Sequence, residues 1–462
     1  MRYANRKIMV LASAFLSALG AVALSASTAG MAHAGTITPL PAAYQIFADT
    51  AHGHLFIGEG TSPSYQPFPT DSAILVTDLS GNPVAALPGS LGVDGMMLSP
   101  DDTTLYVAQD GGVAVFSTAT LQQTGFYSIG FPAYSAVLQS GRIWVTYGEG
   151  NSLFAIGSID PSTGSFNPQA FPATWTNFPP LMSADPAGQS GTVVTSTEGI
   201  VPPMVASYNV SNPAAVTQIA SSQQVGTCPL PNSMAVLPGG AAFVCQDELF
   251  STADMSLQVF YGNGGVVGVA ADGTVAEADA PFGSFPDTIP DTFVFPPGAT
   301  DFASYRAAYT LEGPSAVISA LALSADAETL YAIVQNNPVL ADPVSFTVLA
   351  LDARAMTTLT LSGPASGTAH GSVTLTGQLS TQLTGTQAAL PGAKVTITRT
   401  ISGAGTKPTK TLSVTTGADG TFTVTDALLV AGTYTYTASF AGDSANAPAA
   451  PAVVAIAGRP GR

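Results

Sequence analysis

The strongest constraint on this chain is that it repeats itself. Phe116-Ser-Thr-Ala119 is followed after six residues by Phe126-Tyr127 and then Gly130; Phe250-Ser-Thr-Ala253 is followed after six residues by Phe260-Tyr261 and then Gly264. Tyr106-Val-Ala-Gln-Asp110 upstream of the first copy matches Phe243-Val-Cys-Gln-Asp247 upstream of the second, with three fewer residues in the intervening loop. Leu98-Ser-Pro-Asp-Asp-Thr-Thr-Leu-Tyr106 matches Leu323-Ser-Ala-Asp-Ala-Glu-Thr-Leu-Tyr331, and Ala136-Val-Leu-Gln-Ser-Gly-Arg-Ile-Trp144 matches Ala235-Val-Leu-Pro-Gly-Gly-Ala-Ala-Phe243. Weaker copies begin at Phe47 and Leu181. Each copy reads as a short apolar strand, a polar turn, a second strand with an aromatic near its start, and a third strand such as Gly112-Val-Ala-Val-Phe116. Gly and Asp tolerate the positive φ of hairpin turns, and Pro presets a turn corner. One such antiparallel sheet cannot bury both of its faces; copies stacked around an axis can.

Charge divides the chain near residue 356. Between Gly35 and Met356 three arginines, Arg142, Arg306 and Arg354, stand against 26 acidic residues, with no lysine. From Thr357 onward six basic residues outnumber Asp419, Asp426 and Asp443. A strongly acidic first region repels phosphate backbones, which excludes nucleic acid as a partner; the acidity reads first as solubility. Charged residues are only 9% of the chain while Gly and Pro number 47 and 35, a balance that favours short strands and tight turns. A hydrophobic content of 46% is ample for a packed core.

These strands resemble the YVTN-type β-propeller repeat of bacterial surface and exported proteins, which has a Ser-Pro-Asp-Gly turn, a Tyr-Val-x-Asn strand and a Val-x-Val-Ile-Asp strand. The matching residues here are Ser99-Pro-Asp-Asp102, Tyr106-Val-Ala-Gln109 and Val113-Ala-Val-Phe116; Asp102, Gln109 and Phe116 replace the family's Gly, Asn and Ile. The resemblance implies a β-propeller of about seven blades over residues 35–356, and a span divided by ~45 residues per blade agrees. Segment 265–312 is the least regular. Its Phe282–Pro297 stretch, with four phenylalanines, is too long for a hairpin turn and is expected either as a loop over one face of the disc or as a disordered insertion.

From Thr357 the strands lengthen and alternate: Thr357-Thr-Leu-Thr-Leu-Ser, Ser372-Val-Thr-Leu-Thr-Gly and Lys394-Val-Thr-Ile-Thr-Arg place apolar residues at period two. Gly432-Thr-Tyr-Thr-Tyr436, running on to Ala441-Gly-Asp443, resembles the closing strands of bacterial Ig-like repeats. The resemblance implies an Ig-like β-sandwich over 357–462, a spacer or adhesive module, without the Cys-Trp-Cys signature of antibody-type domains. The fold class expected is therefore all-β, a seven-bladed propeller followed by an Ig-like sandwich.

The first residues read as a secretory signal. Arg2, Arg6 and Lys7 precede an uncharged apolar run from Ile8 to about Leu24, and Ala32-His-Ala34 has the form that signal peptidase cuts, so cleavage is expected after Ala34. No later segment reads as a membrane span, and the expected product is a secreted monomer, free or held at the cell surface non-covalently. Two cysteines, Cys228 and Cys245, flank a turn at Leu237-Pro-Gly-Gly240, and an even count in an exported chain favours one disulfide joining neighbouring strands.

Motifs that carry chemistry are sparse. His52 and His54 could place two imidazoles near a metal, but no third ligand clusters with them and His370 lies in the C-terminal region. No G-x-S-x-G, P-loop or H-E-x-x-H pattern occurs. Asp101, Asp102, Asp272 and Asp326 occupy turn positions where Asp caps locally. No catalytic, cofactor or metal residue is assigned. Two readings follow: an extracellular binding or scaffold protein whose partner is a protein or a cell-wall glycan, or a hydrolase of the propeller-lactonase type. The second requires carboxylates to converge with Arg142 or His54 inside a central channel.

Overall fold

The computed structural model describes residues 43–58, 74–87, 95–148, 154–171, 179–197, 204–223, 225, 228, 232–262, 265–279, 290–311, 316–336, 346–382, 387–403 and 409–461, with the backbone of 32–37. Residues 1–31 of the expected signal region 1–34 and residues 280–289 lie outside this set; residues 32–34 begin a described strand. The described residues form strands joined by turns and short connections; one short 3-10 turn at Phe302–Ser304 is the helical element among them, and no helix among them is long and apolar enough to cross a membrane.

Up to Asp352 the strands form seven four-stranded antiparallel sheets among the described residues. Six are meanders in sequence order, and their first strands are Gln45–Asp49, Gly95–Leu98, Ala133–Gln139, Leu181–Ala184, Met234–Val236 and Gly265–Val269. The seventh begins with Ala316–Leu323, continues through Thr329–Asn336 and Phe346–Asp352, and takes its outer strand, Ala32–Ile37, from the other end of the chain. Each first strand touches the first strand of the next sheet, and the last touches the first. The arrangement is a closed, propeller-like ring.

The core is correspondingly divided. Seven apolar clusters each lie between two neighbouring sheets, and an eighth fills the C-terminal unit. Adjacent residues of one strand therefore enter different clusters: Met96 packs toward the first sheet and Met97 toward the third; Phe243 packs toward the fourth and Val244 toward the sixth. Because both faces are buried, these strands are short continuous apolar runs, without the alternation of a half-exposed sheet.

The sequence repeats recur as repeated hydrogen bonds. In the second sheet Ser99 Oγ donates to Asp101 Oδ1 (2.6 Å) and accepts from Thr104 N–H (3.0 Å), with Asp102 at φ +55°. In the seventh Ser324 Oγ donates to Asp326 Oδ1 (2.6 Å) and accepts from Thr329 N–H (2.9 Å), with Ala327 at φ +56°. The Phe-Ser-Thr-Ala pair is explained likewise. Thr118 Oγ1 donates to Asp102 O (2.6 Å) and Thr252 Oγ1 donates to Gly240 O (2.7 Å), tying the turn after each third strand back to the first hairpin of its own sheet. The three residues missing from the fifth copy are not a shorter loop. Two residues connect the strands in both copies; two of the three come out of strand length, Gly112–Ser117 against Glu248–Ser251, and the third arises because Asp110 is the first residue of its turn and Asp247 the second.

The Phe282–Pro297 stretch needs a correction. Thr292–Phe295 is a ladder strand, paired with Val275–Asp279 and Ala307–Tyr309, because Phe293 and Phe295 are taken into the cluster between the fifth and sixth sheets. Phe293 meets Phe302 and Tyr305 edge-on there, and Tyr261 lies 4.5 Å from Phe295 between ring centroids. Burial, with buried Glu277 adding to it, pushes the Tyr261 phenol up to about 12.

Beyond Thr357 the architecture changes to two facing sheets. Thr357–Ser362, Ser372–Gln382, Gln387–Ala389 and Thr421–Ala427 form one; Ser366–Thr368, Ala452–Arg459, Gly432–Ser439, Lys394–Ser402 and Lys410–Thr415 form the other. Alternating residues such as Val373, Leu375, Val395 and Ile397 fill the space between them, and Tyr434 and Tyr436 are fully buried. The connection to the ring is short and hydrogen-bonded throughout. Ala355 forms a parallel bridge with Asn446, Ala355 N–H donates to Ala445 O (3.0 Å) and Ala447 N–H to Ala355 O (2.9 Å). Arg354 grips Asp352 with two nitrogens (2.9 and 2.7 Å) and donates with the third to Asp443 O (2.8 Å). Asp443 in turn folds its loop through three bonds, to Ala445 N–H, Asn446 N–H and Asn446 Nδ2. The Ala-Gly-Asp turn thus builds the loop that receives the linker.

Candidate functional site: the central cavity

The first strands of the ring present one backbone edge to the axis, and unpaired edge groups are costly when buried. Side chains meet part of that need. Gln45 Oε1 accepts Met96 N–H (3.1 Å), Ser135 Oγ accepts Met182 N–H (3.2 Å) and Ser183 Oγ accepts Val236 N–H (2.9 Å), each from one sheet to the next. The carbonyl of Asn232 accepts Val267 N–H (2.7 Å), and Ser319 Oγ donates to Ala43 O (2.5 Å). At Gly95 a Cβ would sit 2.6 Å from the Tyr134 carbonyl oxygen, so only glycine lets the second and third sheets approach this closely.

These strands enclose a cavity of about 380 Å³ lined by all seven sheets. Its wall is polar and apolar in about equal measure, with Gln45, Ser135 and Ser183 beside Met97, Ala136 and Val269 among the lining residues. Asn232 lies at the rim where the first strands begin. Its Nδ2 donates across the sixth sheet to Ser319 O, while its Oδ1 is buried with no protein partner. At the opposite rim, formed by the first hairpins, Asp102 and Asp185 are the ionisable lining residues. Asp185 is committed to its own turn, accepting from Ala187 N–H (3.0 Å) and Ser190 N–H (3.2 Å). Burial raises the Asp102 carboxyl above the usual carboxylate range; Asp49 and Asp101 add to the rise, and His52 opposes it.

The residues singled out in the sequence are dispersed. His52 Nδ1 lies 2.8 Å from Oδ2 of the fully buried Asp49, beside Thr118, and His54 Nδ1 lies 3.1 Å from Thr118 O. Both belong to the contact between the first two sheets and neither lines the cavity. His370 is an exposed turn residue at φ +68°. Arg142 pairs with Asp160 (3.1 Å) at the start of its strand, away from the cavity. The convergence that a channel hydrolase needs, carboxylates with Arg142 or His54, is not formed among the described residues. Cys228 and Cys245 form a disulfide with Cα atoms 5.5 Å apart. Cys245 is in a strand and Cys228 in the connection preceding Met234, so the bond fastens a connection to a strand where two paired strands were expected. Closing a loop of this length contributes about 3 kcal/mol. Asn232, Gln45, Ser135 and Ser183 do not stand out in the sequence as site residues; the signal they carry is a polar residue within, or just before, a short first strand.

No protein-family model matches the chain, and no curated protein does. Solved structures match with low identity. Hydrazine synthase from Kuenenia stuttgartiensis is 14% identical, with a TM-score of 0.45, covering 68% of this chain and 96% of its own. PorZ of Porphyromonas gingivalis, an essential bacterial surface component of the type-IX secretion system, is 15% identical with a TM-score of 0.46. That match covers 92% of this chain, which spans about three fifths of PorZ, 61%.

Proposed function

We propose that this chain is a binding protein that works outside the cytoplasm: a seven-bladed YVTN-type propeller over 35–356 that presents a ligand or partner site, carried on an Ig-like module over 357–462. The repeats, the closed ring and the signal-like start support the architecture, and the disulfide suits an oxidising compartment. The observation that carries the binding reading is the cavity, framed by first strands whose polar side chains hold the frame together. A pre-formed concavity where several elements meet is an ordinary place for a small-molecule site. The test has two parts. Expression with the native start in a bacterial host should yield an exported product beginning at Gly35 by N-terminal mass spectrometry. The full-length mature chain should be retained on isolated cell-wall or outer-surface fractions. A cytoplasmic product with an uncut start, or no retention on any fraction or small-ligand panel, overturns the reading.

A further inference from the structure

We infer that the folded chain withstands endoproteases that cut after lysine or arginine, because the residues such enzymes recognise are kept out of its connections or are held fast within them. The inference goes beyond the binding reading and suits the setting outside the cytoplasm proposed above.

An endoprotease takes its substrate as an extended, unpaired segment, so exposed connections are cut first and bonds inside a ladder only after local unfolding. The ring has many connections, yet no lysine occurs from Gly35 to Met356. Of its three arginines, Arg142 opens Arg142–Tyr147, a strand paired on both sides, and meets Asp160 at 3.1 Å. The other two lie in connections. Arg306 Nε donates to Ala353 O (2.6 Å) and Nη2 to Ala327 O (2.8 Å), while its backbone N–H donates to Val294 O (2.7 Å). Arg354 grips Asp352 and reaches Asp443 O. Enzymes of this class draw the basic side chain into a pocket that ends in a carboxylate, and both guanidiniums must first give up these bonds.

The C-terminal unit does contain lysine and reaches the same exclusion by other means. Lys394 and Arg399 belong to Lys394–Ser402, a strand paired on both sides, and Lys410 opens Lys410–Thr415 with its Nζ on the buried Asp426 carboxylate (2.6 Å). Lys407 and Arg459 each precede a proline, Pro408 and Pro460. A proline after the scissile bond has no N–H to give and a fixed φ, so that bond does not fit the register a protease imposes. Arg462 lies beyond the last strand, where a cut leaves both units whole. Aromatic residues show no such exclusion: Tyr65, Trp175 and Phe282 all fall in the sequence between one described strand and the next.

The test compares trypsin with chymotrypsin on the full-length mature chain, with the products weighed by mass spectrometry. Trypsin should leave the chain whole through a digestion in which chymotrypsin degrades it. Ala214→Lys places a basic residue in an exposed connection, between Met204–Asn209 and Thr217–Ser222, and should bring a new tryptic cut after residue 214. Asp352→Ala releases Arg354 and should bring a cut between Arg354 and Ala355 that parts the ring from the C-terminal unit. Tryptic cutting of the unaltered ring overturns the inference. So does a trypsin-resistant Ala214→Lys chain, or equal resistance to chymotrypsin, because either result places the protection in rigidity and not in where basic residues stand. An Asp352→Ala chain that trypsin leaves whole overturns the role given to the Arg354 grip. Loss of surface-fraction retention would count against the binding reading alone and leave this inference standing.

Discussion

Asp426 joins the two sheets of the C-terminal unit at a single carboxylate. Its side chain is fully buried, and it accepts from Arg399 Nη1 (2.8 Å), Lys410 Nζ (2.6 Å) and Tyr436 Oη (3.1 Å). Burial alone raises this carboxyl; the three donors outweigh it and hold it below the usual range, while burial and the same carboxylate push the Tyr436 phenol up. A depressed carboxyl contributes stability above its unfolded value of about 3.9, and that contribution disappears as pH falls through the lower folded value. Asp426→Ala leaves Arg399 buried without its counter-charge and should cost about 3–5 kcal/mol at neutral pH by urea denaturation. The difference from wild type should shrink steadily in acid; a pH-independent difference would show that packing alone is at stake. Asp102 has the opposite sign. Its raised carboxyl means that the charged form is disfavoured in the fold, so stability from this group is present at low pH and lost as pH rises through the raised value. Asp102→Asn should therefore raise Tm at pH 7 and have little effect near pH 3; a lower Tm at pH 7 contradicts the assignment.

At the scale of elements, the repeat signals are side chains that lock a hairpin. Thr118 and Thr252 are equivalent: each is buried and donates its hydroxyl to a hairpin carbonyl of its own sheet. Thr118→Val or Thr252→Val, which keep shape and remove the donor, should each destabilise by about 1–3 kcal/mol in denaturant titrations; a neutral result would mean the motif recurs for another reason. The same local bonds make the sheets legible in the sequence. Ser-x-Asp hairpins and Phe-Ser-Thr-Ala turns are hydrogen-bond patterns between near neighbours, which sequence records directly. Thr292–Phe295 is not legible in this way, because the pairing of that strand depends on aromatic residues from two sheets, Tyr261 and Phe302 among them, and no local pattern encodes that. The cavity is hidden for a related reason. It is made where the strands of seven sheets meet, and Asn232 reaches Ser319 across 87 positions of sequence.

For the molecule as a whole, the ring and the C-terminal unit are joined by a connection in which Arg354, Ala355 and Met356 all have partners. Met356 N–H donates to Arg306 O (3.1 Å), and Gln382 N–H donates to Met356 O (2.9 Å). Arg354→Ala should leave the stability of either unit within about 1 kcal/mol, as expected for partly exposed ion pairs, yet loosen their mutual orientation. Solution X-ray scattering should record a broader distance distribution, and proteolysis should speed up between Ala353 and Thr357; unchanged scattering would place the rigidity in the backbone bridge to Asn446. The outer strand Ala32–Ile37 has a different consequence. Its register slips between Ala32 and Gly35, after which Gly35, Thr36 and Ile37 pair in step with Val348, Thr347 and Phe346. The ring cannot close until a segment more than three hundred residues downstream has been synthesised, and contacts this distant are the slowest to form. Here the final closure waits for nearly the whole length of the ring to arrive, so delay is written into the order of its own strands.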